Sequence, residues 1–253
     1  MFQFPGSLST LRKRSLSATS FVLLALSAVV PASATSMIGQ LGISAGPNNA
    51  VTVTNTTITF GAGLFSVSST PPNTGSFASP FDSPSFAGTI KNLSSTAGNQ
   101  PTGSTFSLPN FLIFSSDPAT SFELTFINPG TNGSAQCGLA AAAGQICTPI
   151  LPAGAGLSPF NLQNNSATQS TASFTVRGRV KNGIDFTNFT GTFSNTFNGQ
   201  SFQDVLAVLA SNGSVTSPYS ATFTVTAVPE PASFALVGLT LAGAAAIRRR
   251  RRA

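Results

Sequence analysis

The chain of 253 residues has no histidine, no tryptophan, one tyrosine and two cysteines, and only 7% of its residues are charged. Without histidine, the Ser-His-Asp and Cys-His arrangements of nucleophilic catalysis are excluded, and so are the common zinc and non-haem iron sites. What remains for hydrolysis is a carboxylate pair of glycosidase type, drawn from Asp82, Asp117, Glu123, Asp185 and Asp204. Four of these five have a local structural use instead. Asp82 and Asp117 stand at turn starts before Ser-Pro or Pro, Asp185 is a hairpin partner for Arg179 in one of two registers, and Asp204 is placed to cap a helix. There is no Gly-rich phosphate loop and no Asp/Asn-Gly calcium loop. Sugar stacking usually uses Trp or Tyr, and only Tyr219 is present. The expectation is a protein that is not an enzyme and holds neither metal nor cofactor.

Acidic residues are also few. The net charge of +6 and the pI near 10.4 have the look of a nucleic-acid binder, but eight of the 12 basic residues are Arg12, Lys13, Arg14 and Arg248 to Arg252, at the two ends. Between Thr35 and Ile247 only Lys91, Arg177, Arg179 and Lys181 remain, against Asp82, Asp117, Glu123, Asp185, Asp204 and Glu230. That stretch is slightly acidic, so the basic pI does not argue for a nucleic-acid partner.

The basic ends flank hydrophobic runs. Arg12 to Arg14 precede an apolar stretch from Phe21 to Val30 and the small triplet Ala32-Ser33-Ala34, the three parts of a secretory signal peptide. Residues 1–34 are therefore expected to engage the Sec machinery and signal peptidase, with cleavage after Ala34; an uncleaved signal anchor is the alternative. At the other end, residues 232–247 are apolar or small except Ser233 and Thr240, and Arg248, Arg249, Arg250, Arg251 and Arg252 follow directly. As a helix rising about 1.5 Å per residue, that run reaches roughly 24 Å, short of a hydrocarbon core of about 30 Å. It predicts a weak transmembrane helix whose arginines stay on the cytoplasmic side.

Ahead of the span stand Val228, Pro229, Glu230 and Pro231. Each proline lacks an amide donor and holds its predecessor extended, so the segment reads as an open peptide of the kind a protease or transpeptidase grips. The plainer reading is that Pro231 starts the helix and Pro229 ends a strand. Pro-Glu-Pro, a short apolar helix and an arginine cluster, in that order over residues 228–253, resemble the PEP-CTERM sorting signal of exported bacterial proteins. The resemblance implies processing by the membrane enzyme exosortase at or near the triplet. It also implies a transient stay in the inner membrane of a Gram-negative-type bacterium, and a destination at the cell surface or in the exopolysaccharide matrix. It implies nothing about the domain in between.

That domain, residues 35–227, is rich in Ser, Thr, Asn and Gly and in phenylalanine, of which the chain has 22. Alternating apolar residues such as Val51 and Val53, or Phe223, Val225 and Ala227, predict half-buried strands. Further strands are expected at Phe111–Ser115, Ser121–Ile127, Ala172–Val180 and Asp185–Phe193. Seven or more short strands suggest one antiparallel β-sandwich. One short helix is expected over about 201–210, where Phe202, Val205, Leu206 and Leu209 recur at helical spacing and Ser201 with Asp204 forms an acidic capping box. The stretches from Thr70 and from Pro129 to Ser170 read as loops.

Cys137 and Cys147, in an exported chain, are most simply a disulfide; a zinc site fails for want of ligands. Around Gly183 a hairpin is expected. A turn with a bulge puts Arg179 opposite Asp185, whereas a tighter Asn182-Gly183 turn puts Val180 there. In either register Arg177, Arg179 and Lys181 project from one face, as a solvated surface or as a grip on acidic polysaccharide. Two functions follow: a non-enzymatic surface or matrix protein, or an extracellular polysaccharide-binding module or adhesin.

Overall fold

The computed structural model describes residues 36–46, 49–68, 72–78, 87–96, 99–183 and 185–227. The chain divides into Met1–Ala34 and Thr35–Ala253, and all described residues lie in the second unit. The signal peptide, Asp82, the PEP triplet, the apolar span and the terminal arginines lie outside the described residues.

Fourteen strands and one helix occur among the described residues. They are β1 (Gly39–Ala45), β2 (Val51–Val53), β3 (Thr57–Phe60), β4 (Leu64–Ser68), β5 (Ala87–Ile90), β6 (Leu93–Ser94), β7 (Thr105–Phe114) and β8 (Thr120–Ile127). There follow β9 (Ile146–Cys147), β10 (Asn161–Ser166), β11 (Gln169–Asn182), β12 (Asp185–Asn198), the helix α1 (Phe202–Asn212), β13 (Val215–Ser217) and β14 (Ser220–Thr226). The mainly β expectation with one short helix is borne out, and so are the strands seen as alternating runs. β1, β4, β5, β6 and β13 had not been anticipated, and the stretch expected to be loop from Pro129 contains β9 and β10.

The sandwich is replaced by a closed barrel. Eight strands pair in the ring β1-β4-β5-β7-β8-β11-β12-β14, and β14 pairs back onto β1, every contact antiparallel. Alternation with one buried face is common to sandwich and barrel strands, so it could not separate them. Closure depends on which strands pair, and here β12 is flanked on both edges, by β11 and β14.

Phenylalanine fills the interior, the natural outcome for an eight-stranded barrel whose bore is about one layer of side chains wide. Phe122 lies 5.1 Å from Phe189 and 5.4 Å from Phe223, and Phe193 lies 5.6 Å from Phe223. Room for these rings comes from glycines facing inward on the neighbouring strand. Gly178 pairs with Phe189, Gly191 with Phe223 and Gly88 with Phe65. A methyl group on any of the three would come within 2.6 Å of the paired ring, a clash. Each ring therefore lies over a missing side chain, the cross-strand pairing that lets a sheet curve without leaving a void.

In an up-and-down ring, connections alternate between the two ends. The β1–β4, β5–β7, β8–β11 and β12–β14 connections share one end, and between them they carry β2, β3, β6, β9, β10, β13 and α1. Three of them contribute strands to a second sheet, ordered β13-β2-β3-β6. This cap closes the upper mouth: Phe60 of β3 sits 5.2 Å from Tyr219 and 5.5 Å from Phe193. A void bounded by Phe60, Phe174, Phe193 and Tyr219 is only about 50 Å³. At the opposite end Phe77, on a short 3-10 turn, is fully buried against Phe122.

The helix forms as expected. Ser201 Oγ accepts from the Asp204 amide at 3.2 Å, and the Ser201 amide donates to Asp204 Oδ2 at 2.9 Å. Gly213 ends α1 in the left-handed conformation, φ 75°, donating to the Leu209 carbonyl. Hydrogen bonds from Ser201 hold the Asp204 carboxyl below the usual range.

Candidate functional site: a basic stripe and its groove

β11 alternates Val176, Gly178 and Val180 inward with Arg177, Arg179 and Lys181 outward and exposed. The stripe is real, but its members differ. Arg179 pairs across the sheet with Glu123 of β8, Nη2 to Oε2 at 2.8 Å, and lies 5.1 Å over the exposed ring of Phe186. Glu123 also accepts from Ser107 Oγ at 2.8 Å. Lys181 stands between Ser121 of β8 and Phe186 of β12. Arg177 stacks over Phe126 at 5.7 Å, and no carboxylate among the described residues pairs with it.

The expected Arg179–Asp185 contact is not made, and both expected hairpin registers are corrected. Asn182 faces Asp185, Lys181 faces Phe186 and Arg179 faces Asn188. Between the two strands Gly183 adopts the left-handed conformation, φ 63°. Interior packing sets this register. Placing Gly178 opposite Phe186 would match an inward position with an outward one, whereas the observed shift seats Phe189 over Gly178.

Phe126 was not foreseen as a surface residue, since alternation from Phe122 and Leu124 puts it inside. Between them β8 carries an extra residue: Arg177 pairs with Phe126 but Gly178 with Leu124, leaving Thr125 as a bulge. The bulge reverses the faces beyond it, burying Ile127 and turning Phe126 to the half-exposed side. Past Ile127, β11 exchanges its neighbour β8 for β10, which pairs from Ser173 onward. At this exchange lies an open groove of about 560 Å³, its wall including Phe126, Asn128, Thr131, Asn161, Thr175 and Arg177.

One wall is tightly fixed. Asn161 Oδ1 accepts from the Thr131 amide at 2.8 Å, the Asn132 amide at 3.2 Å and Thr148 Oγ1 at 3.2 Å. Thr148 follows Cys147, which forms the expected disulfide with Cys137, Cα to Cα 5.2 Å. Cys147 is fully buried in a small cluster with Leu162 and Phe202, tying the loop to α1. No charged residue occurs between Glu123 and Arg177 in the sequence, so this segment forms its side of the groove with neutral groups alone.

The other acidic residues are occupied locally. Asp117 Oδ2 accepts from Thr120 Oγ1 at 2.7 Å in the β7–β8 turn, and Asp204 caps α1. Among the described residues no group of three or more His, Cys, Asp or Glu side chains could hold a metal, and no helix is long and apolar enough to cross a membrane.

The described part is thus an all-antiparallel capped barrel with one neutralised and one unpaired arginine on its wall. Its last strand ends at Thr226, one residue short of the segment matched by a family model. Residues 227–252 match the PEP-CTERM protein-sorting motif, so the chain carries the sorting signal of exosortase substrates. That motif implies export, a transient membrane-anchored state and sorting to the surface, with exosortase as the processing partner. No curated protein and no solved structure is significantly similar to the chain.

Proposed function

We propose that the chain is a non-enzymatic protein of the cell surface or extracellular matrix, exported by its signal peptide through the Sec machinery in a Gram-negative-type bacterium. Exosortase then cuts it at Val228-Pro229-Glu230-Pro231. The sorting motif over 227–252 carries this reading. The barrel supports it in two ways. Among the described residues, the bore is packed with phenylalanine and leaves no internal chamber for a substrate. β14 also ends, next to the matched motif, at the pole of the barrel opposite the cap.

Changing Glu230 to Ala tests the sorting step. The expected outcome is retention in the inner membrane of a polypeptide about 26 residues heavier than the wild-type product, read by fractionation and intact mass. The wild-type mass should also show loss of residues 1–34. Intact protein in the cytosol, with both termini present, would refute the assignment.

A second reading, an extracellular polysaccharide-binding module or adhesin, is favoured by one observation: Arg177 lacks a carboxylate partner among the described residues and lies on an open, uncharged groove.

A further inference from the structure

We infer that the groove where β11 exchanges β8 for β10 is a binding site for a carboxylate-bearing polysaccharide, a uronate chain, with Arg177 as the residue that reads its charge. The inference deepens the polysaccharide reading and rests on it for where the ligand is met. Binding itself rests on the chemistry of the groove.

Guanidinium offers a planar fork of donors that matches a carboxylate. Arg179 already donates from Nη2 to Glu123 Oε2, whereas Arg177 faces the ring of Phe126 and pairs with no carboxylate among the described residues. The ring is there because the Thr125 bulge turns Phe126 outward, and bulges are a recurrent means of re-aiming a side chain at functional edges. An aromatic ring beside a cation suits a sugar acid, whose carboxylate and apolar C–H face lie on one unit. Neutral hydroxyl-binding groups flank them. Asn161 has its amide oxygen bound by Thr131, Asn132 and Thr148, which orients the side chain, while its NH2 donors have no partner among the described residues. Asn128, Thr131 and Thr175 add further amide and hydroxyl groups, and no carboxylate lines the groove to repel an anion. Being open to solvent, the groove suits a chain passing across it.

The test uses the full chain in detergent and oligogalacturonate as probe, with its methyl ester, a neutral dextran of similar length and inorganic phosphate as comparison arms. Binding is read by calorimetry or by mobility in a polysaccharide-containing gel. Oligogalacturonate should bind, its methyl ester and dextran at least about tenfold more weakly, since the charge-assisted bond is lost. Arg177→Gln should lower affinity about tenfold, Arg177→Lys by less, and Arg179→Gln by under about twofold. A thermal melt of each variant checks that the fold is intact. Absence of oligogalacturonate binding, equal loss from Arg177→Gln and Arg179→Gln, or equal binding of the methyl ester would overturn the assignment. Phosphate binding as tight as the oligosaccharide would do so too, by showing an anion site without sugar recognition. Mislocalised protein would count against export while leaving these binding results untouched, so the two failures are distinguishable.

Discussion

The barrel and its cap draw on the same uncharged, Ser/Thr/Asn-rich composition and satisfy their backbones by different means. In the barrel the amides are paired along eight antiparallel ladders, and stability comes from phenylalanine rings seated over glycines. In the cap the strands are short, and side-chain amides replace missing ladder partners. Asn49 accepts from the Ala62 amide, Asn92 from Phe60, Gln100 from Ser94 and Asn164 from Phe202. Asn164, fully buried, also donates to Gln145 and Gln203, joining the disulfide loop, β10 and α1. A polar segment can thus become a packed cap without a large apolar core, provided each buried amide finds its partner.

That contrast can be broken, and the largest effect should come from the barrel. Gly178→Val drives a branched side chain into the Phe189 ring and the Glu123 carbonyl, and should destabilise the whole protein by about 3 kcal/mol or more, by denaturant unfolding. Trimming the ring as well, in Gly178→Ala with Phe189→Leu, should cost less than the two changes summed, because they share one contact. Full additivity would show that the pair is not the unit of packing.

Next comes the cap alone. Replacing Cys137 and Cys147 by Ser should remove up to about 3 kcal/mol of loop constraint. Asn164→Ala should leave the buried Phe202 amide unpaired, a loss of about 2 kcal/mol. Both should raise hydrogen exchange in residues 137–166 and in α1 while leaving β8, β11 and β12 protected. Equal loss of protection in the barrel would make cap and barrel one cooperative unit and end the distinction.

Smaller effects sharpen the picture. Arg179→Ala should cost about 0.2–1 kcal/mol, the range for a half-exposed ion pair, with the loss shrinking in high salt. For Asp204 the folded state holds the carboxyl below its ordinary pKa, through hydrogen bonds from Ser201. A depressed pKa contributes stability above the unfolded value of about 3.9 and loses it as pH falls through the folded value. The cap helix should therefore loosen below about pH 4, read by hydrogen exchange of α1, and Asp204→Asn should remove that acid dependence.

Several features could be read directly from residue order. The alternating runs at β8, β11, β12 and β14, the Ser201–Asp204 box with Gly213 beyond it, the Cys137–Cys147 bridge and the terminal sorting motif are local patterns, each set by neighbours within a few positions or by pairing of the only two thiols. The exposure of Arg177, Arg179 and Lys181 on one face followed from the same period of two. β1 and β4 were harder to see, since Gly39, Gly42 and the serines dilute their alternation.

What the amino-acid order determined by itself was the two-faced alternation within each strand up to a bulge, where the helix begins and which terminus carries the address. Closure into a barrel, the seating of Phe189 over Gly178, the choice of Glu123 over Asp185 as partner for Arg179, and the outward turn of Phe126 were decided only by tertiary structure. A period of two specifies a face but neither the neighbouring strand nor its register. Those depend on packing across strands: rings require the space that distant glycines leave, and a single extra residue at Thr125 reverses every face beyond it.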